Sequence, residues 1–345
     1  MTALTFTAEE LLAEHAYATP HVVAGKRLQG GFDEAGVYLS PRSLNRGPAL
    51  DAWAAQLSSR HEPLFPIDPR LSQSSRGPNG AQHVFLLEHG IHDVLWNQLT
   101  QLVQVEARAK SIAYMDMPHL QDIIVDDISC MAIGHLHKGL LMAHGLDEGG
   151  NPELGLNGHD VLWALVRDLI FAHQSFEEDS MPRPEGRARY LQRHLPEIPF
   201  RHENLMFYLM NTFLYEVRAS LGFPGSLALM SQPGLLPGAW EDVQLARTLV
   251  ERVCQDEAPH LLSLRLYFSE MRAVSFKGTA GGTVPGHVLV DRLWEKVITG
   301  FLQDRLPHTI ASQFAFCETV IQRRPDGAQL LAAFNALAQE PSSLQ

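Results

Sequence analysis

The chain is poor in cysteine, in basic clusters and in long apolar runs, and each shortage excludes a class of protein. Its three cysteines, Cys130, Cys254 and Cys317, stand far apart and form no CxxC pair and no disulfide framework. A reducing compartment is expected, and a small disulfide-stapled secreted fold is not. Acidic residues outnumber basic ones 39 to 27, for a formal net charge of −12 over 345 residues, and no basic run reverses this locally. Such a chain repels nucleic-acid phosphates and anionic lipid headgroups, so neither nucleic acid nor membrane is an expected partner. No apolar run approaches the roughly 20 residues of a membrane span. The opening MTALTFTAEELLAEHAYATP places acids where a signal peptide needs a basic and then an apolar stretch. A cytoplasmic location is therefore expected. Strand patterns are scarce, and neither fixed-period repeats nor coiled-coil heptads occur.

What remains is helical patterning in a chain that is 45% hydrophobic, ample for a core. Residues 1–80 read as an irregular extension with one short helix, 8–18, and a long loop at 64–80 rich in Pro, Ser and Gly. Helices are predicted over 83–114, 119–144, 159–176, 203–221 and 240–272, with a turn-rich segment at 177–201 and loops at 147–158 and 276–286. Gly145 is taken as the stop of the second of these. Further helices at 287–304, 308–322 and 327–338 close the chain. The expectation is an all-α helical bundle, organised as an extension (1–80), a helical core with a metal site (81–275) and C-terminal helices packed on that core (276–345).

The chemistry concentrates in a few acids and histidines. In QDEAPHLLSL, Glu257 and His260 fall one helical turn apart on a common face, with Asp256 turned away. Carboxylate and imidazole so placed bind a metal in di-iron bundles. Pro259 lies between them and requires a kink or a fresh helix start there. In DIIVDDISCMAIGHLH, Asp126 and Asp127 stand among Ile and Val, where unpaired carboxylates are costly. His137 lies ten residues beyond Asp127. Ten helical residues rise about 15 Å, so a shared site requires a break, for which Ser129 and Gly134 are the candidates. Glu106 would face Asp127 if their helices pack antiparallel across the Met115–Pro118 turn. Glu216 sits among Phe213, Leu214, Val217 and Leu221 and needs a cation, a metal or a proton.

Together these residues resemble the haem-oxygenase-like di-iron oxidases and oxygenases. That pattern has a Glu on one helix, a second acid followed by His ten residues on, a later Glu, and an acid-x-x-His. It maps onto Glu106, Asp127, His137, Glu216, Glu257 and His260, over roughly residues 83–275. The resemblance implies a haem-oxygenase-like bundle with these six as metal ligands. It further implies one or two ferrous ions, dioxygen as co-substrate, and oxidation of a small molecule such as an amine, an amino acid or a fatty-acid-like compound. The chain departs from the pattern in having Asp127 where Glu is commoner, Glu257 where Asp is usual, and Val253 where relatives often add a carboxylate.

A ferritin-like four-helix core with extra helices, similar to the arylamine N-oxygenases, is the rival fold. It wants a matching Glu-x-x-His in the first half, where only Asp127-Ile128-Ser129-Cys130 is offered. Two other functions are carried alongside: a metal-free helical binding or scaffold protein, and a class I terpene cyclase suggested by Asp126-Asp127. A homodimer stays an open alternative to a single copy.

Overall fold

A computed structural model defines residues 4–17, 19–74, 77–176 and 193–339. The fold is built from helices, with two small sheets at its margins. Among the described residues no helix is long and apolar enough to cross a membrane.

The first 80 residues are more regular than expected. Helix α1 (Ala8–Leu11) is shorter than the predicted 8–18, of which residue 18 lies outside the described ones, and opens with a capping box between Thr7 and Glu10. Strands β1 (Thr19–Val23), β2 (Lys26–Phe32) and β3 (Tyr38–Leu39) then form an antiparallel sheet in the order β1-β2-β3. Ala24 and Gly25, both at positive φ, make the tight turn between the first two. Helix α2 (Ser43–Ser59) follows despite its internal Pro48, because Arg46, Ala49, Leu50, Trp53 and Leu57 form one buried stripe at helical spacing. Helix α3 (Pro69–Gln73) interrupts the expected loop.

The predicted helix 83–114 divides into α4 (Gly80–Glu88) and α5 (Asp93–Ala109) at Gly90, followed by a 3₁₀ segment Lys110–Tyr114. The predicted helix 119–144 is largely not a helix. Its backbone amides find other partners: Val125 N–H donates to Ser275 O, Ser129 N–H to Asp127 Oδ1, and Ala132 and Ile133 N–H to the buried Glu270. Regular α-helix resumes only at α6 (Leu141–Gly149).

Helix α7 (His159–Ile170) packs on α5. Helix α8 (Phe200–Met230) is longer than predicted, α9 (Trp240–Ala273) matches its prediction within one residue, and the two pack against each other, with α9 also on α7. Much of the predicted turn-rich segment, residues 177–192, lies outside the described ones. Strands β4 (Ser275–Lys277) and β5 (Thr283–Pro285) pair where a loop was expected. Helices α10 (Gly286–Gly300), α11 (Leu306–Gln322) and α12 (Gly327–Ala336) complete the chain, α10 against α8 and α9, α11 against α5 and α12.

Two apolar clusters hold the long helices. One takes Val217 of α8 and α9 from Leu264 onward; the other takes Phe223 of α8 and α9 up to Val253. The interval on α9 between them carries buried Asp256, Glu257, His260 and Ser263. A polar layer thus lies between two dry ones, and its buried charges need partners.

Candidate metal centre

Helices α5 to α9 each bring at least one side chain to this layer. Glu106 comes from α5. On α6, His144 and Glu148 lie one turn apart and share a face. Their helix comes close to the segment after α5 because glycine permits it: a Cβ on Gly145 would stand 2.3 Å from Ala113 N. Gly145 is therefore a packing residue inside α6 rather than its stop. Beyond α6 the chain turns tightly and re-enters at His159, the first residue of α7. Glu216 comes from α8, Glu257 and His260 from α9. Helix α9 runs unbroken through Pro259.

These seven side chains form two overlapping four-residue sets. One is His144, Glu148, Glu216 and His260; the other is Glu106, Glu148, His159 and Glu257. Within each set one ligand atom per residue lies within 4.8 Å of the others. Glu148 belongs to both: its Oε1 is 3.1 Å from His260 Nδ1 and its Oε2 3.4 Å from His159 Nδ1. Glu257 also spans them, with Oε1 3.0 Å from His159 Nδ1 and Oε2 2.8 Å from His260 Nδ1. Glu216 Oε1 lies 3.0 Å from His144 Nε2. The His144 and His260 rings stack at 4.0 Å.

An outer ring of residues fixes the imidazoles. His260 Nε2 meets Asp147 Oδ2 at 2.9 Å, and Asp147 is paired with the buried Arg42 and Arg46. His159 Nε2 lies 3.3 Å from Asp256 Oδ2, which also accepts the Tyr38 hydroxyl at 2.9 Å. Tyr38 reaches this point by lying across Gly30, where a Cβ would stand 2.4 Å from its hydroxyl oxygen. With both outer nitrogens facing carboxylates, the Nδ1 atoms of His159 and His260 point into the centre, as outer-shell carboxylates orient metal-binding histidines.

Burial and mutual charge set the protonation of this group. Burial, then the Glu148 and Glu257 charges, pushes the Glu106 carboxyl well above its ordinary range. Burial, then Glu257, does the same to Glu216. For Glu148 burial acts upward, but the adjoining Glu106, His159 and His260 groups outweigh it and hold it well below the ordinary value. Burial and Glu148 also oppose ionisation of Glu257, yet His260 and His159 bring it down to about 2. Burial lowers His159 and His260, but the surrounding carboxylates raise both well above the usual imidazole value. Burial, then the His260 charge, lowers His144 to about 3. Even with this pairing, His144 Nε2, Glu148 Oε2 and His159 Nδ1 are fully buried and have no partner in hydrogen-bond geometry.

Of the six ligands expected from sequence, Glu106, Glu216, Glu257 and His260 lie in the cluster, and Asp127 and His137 do not. Asp127 is exposed and accepts the Ser129 N–H at 2.9 Å. His137 is exposed, with Nε2 3.1 Å from Pro118 O. Both lie outside α6 because their segment satisfies its backbone through Asp127, Glu270 and Ser275 instead of forming the predicted helix. His144, Glu148 and His159 escaped the sequence reading. The signal was present as His-x-x-x-Glu with a second His eleven residues beyond the Glu, but taking Gly145 as a helix stop placed Glu148 in a loop. Val253 is fully buried in the apolar cluster and contributes no ligand atom.

No family model, no curated protein and no solved structure matches this chain.

Proposed function

We propose that the chain is a non-haem iron protein with a two-ion centre that uses dioxygen to oxidise a small molecule. The observation that carries this reading is the pair of four-residue sets joined by Glu148, in a polar layer between two apolar clusters. The donors fit the group: carboxylate oxygen and imidazole nitrogen suit ferrous iron, and no thiolate belongs to either set. The orphaned His144 Nε2, Glu148 Oε2 and His159 Nδ1 are the atoms a metal would satisfy. Four ionised glutamates would also match the charge of two divalent ions.

His144, Glu148, Glu216 and His260 would hold one ion, and Glu106, His159, Glu257 and the shared Glu148 the other. Asp147 and Asp256 keep the outer nitrogens of His260 and His159 engaged, so the inward lone pairs stay aimed. When bound, iron would supply the dioxygen activation and electron transfer that these side chains cannot provide alone.

The arrangement also supports the haem-oxygenase-like reading over the ferritin-like one. The required acid followed by His about ten residues on is met by Glu148 and His159, and the first half still offers no Glu-x-x-His at the centre. The terpene-cyclase reading loses its motif, since Asp126 is exposed and binds the Ser275 N–H. Unbroken passage of α9 through Pro259 removes one motive for a metal-free scaffold.

The test is iron content by elemental analysis after anaerobic ferrous loading and desalting. About two ions per chain are expected, with strong losses in Glu257→Ala and His260→Ala. No retained iron, or unchanged content in those variants, would overturn the reading.

A further inference from the structure

Beside the centre, α8 and α9 part to form a cleft of about 290 Å³. Its walls are Phe223, Leu227, Cys254 and Leu261, and Glu216 and Glu257 lie at its inner end. Pro224 and Ala258, both exposed, flank the mouth. The cleft therefore leads from solvent to two members of the cluster. Phe223 is braced from behind by Trp163, with ring centroids 6.2 Å apart and planes at 13°. Among the described residues no lysine, arginine or histidine lines it, and the Ser220 hydroxyl already donates to Val217 O at 2.8 Å.

We infer that this cleft binds a neutral, chiefly hydrocarbon molecule and discriminates against an anionic one. The walls offer carbon and sulfur, which favour an alkyl chain or a ring. The volume admits roughly ten water-sized groups, at about 30 Å³ each. No cation among the described residues lines the cleft, so an entering anion would lose its water without gaining a partner charge. A free amino acid, with an ionised carboxylate and little hydrocarbon, fits poorly. That the occupant is also the substrate rests on the iron reading; the binding itself does not.

The experiment is calorimetric titration of the metal-free full-length chain with 1-octanol and with octanoate at neutral pH. One-to-one, saturable octanol binding is expected, with octanoate weaker by about tenfold or more. Ala258→Trp, at the exposed mouth, should weaken octanol by about tenfold while leaving the circular dichroism unchanged. Pro224→Trp serves the same purpose if that variant does not fold. Absent octanol saturation, octanoate binding as tight as octanol, or octanol binding unmoved by a folded mouth variant would each overturn the inference. The two readings fail separately. Octanol binding without iron retention would leave a ligand-binding cleft and no oxidase; iron retention without octanol binding would leave the metal centre and remove this cleft.

Discussion

Two neighbouring stretches of this chain, 122–137 and 144–159, are both rich in acids and histidines, yet they use them in different ways. In the first, the polar side chains accept hydrogen bonds from backbone amides, one within the stretch and two from distant segments. Asp126 accepts from Ser275 N–H, Asp127 from Ser129 N–H, and His135 Nε2 from Phe6 N–H. In the second, His144 and Glu148 of α6 and His159 of α7 turn toward a common centre shared with α5, α8 and α9. The difference lies in where the backbone hydrogen bonds come from. A regular helix satisfies its own amides, which frees its side chains for a site; in the irregular segment those amides need other acceptors, Asp127 for Ser129 N–H and Glu270 for Ala132 and Ile133 N–H.

The largest contrast should appear in metal content. Glu148→Ala and His159→Ala should lose most bound iron, while Asp127→Ala and His137→Ala should retain it at the wild-type level, as read by elemental analysis after ferrous loading. Equal losses in the two pairs would erase the distinction between the stretches.

Stability should separate them next. Asp147→Ala leaves Arg46 buried without a carboxylate and Arg42 with only Glu14, and should cost about 3–5 kcal/mol. Asp126→Ala removes one exposed hydrogen bond and should cost about 1 kcal/mol. Urea unfolding of the metal-free proteins measures both, and similar costs would contradict the assignment.

A third effect lies in the irregular stretch itself. Burial raises the Glu270 carboxyl from 4.5 to about 7, against the lowering effect of the Ile133 and Ala132 amides it accepts. The folded state therefore keeps a proton that the unfolded chain releases above pH 4.5. The resulting stability is complete below that pH and is lost as pH rises to about 7. By linkage the wild-type protein should lose roughly 3 kcal/mol relative to Glu270→Gln over this window. A difference that stays flat with pH would exclude it.

The smallest effect is expected at Tyr38→Phe, which removes the hydroxyl donated to Asp256 and loosens the orientation of His159 at one remove. Iron affinity should fall by less than the roughly 10–100-fold typical of losing a direct outer-shell partner. A loss as large as that of His159→Ala would make Tyr38 part of the centre itself.

The helical character of the chain was legible because periodic apolar residues on α5, α7, α8 and α9 announce helices wherever they pack. The Glu257/His260 pair was legible because one turn of helix fixes their relation regardless of tertiary context. Other features were hidden for identifiable reasons. The sheet at 19–39 depends on pairing between short, polar strands with little alternation. Gly145 looks like a helix stop until Ala113 is seen against it. Glu148 and His159 meet only because the intervening loop folds back on itself through the Asn151–Leu156 pairing, a contact no periodicity records. The apolar setting of Asp126 and Asp127 in sequence suggested burial, whereas the chain turns both outward.

The most direct measurement is anomalous diffraction at the iron edge from crystals of the ferrous-loaded protein. Two peaks are predicted between α5, α6, α7, α8 and α9, one near Glu106, His159 and Glu257 and the other near His144, Glu216 and His260, with Glu148 between them. No peak at this position, or a peak beside Asp127 and His137, would contradict the account.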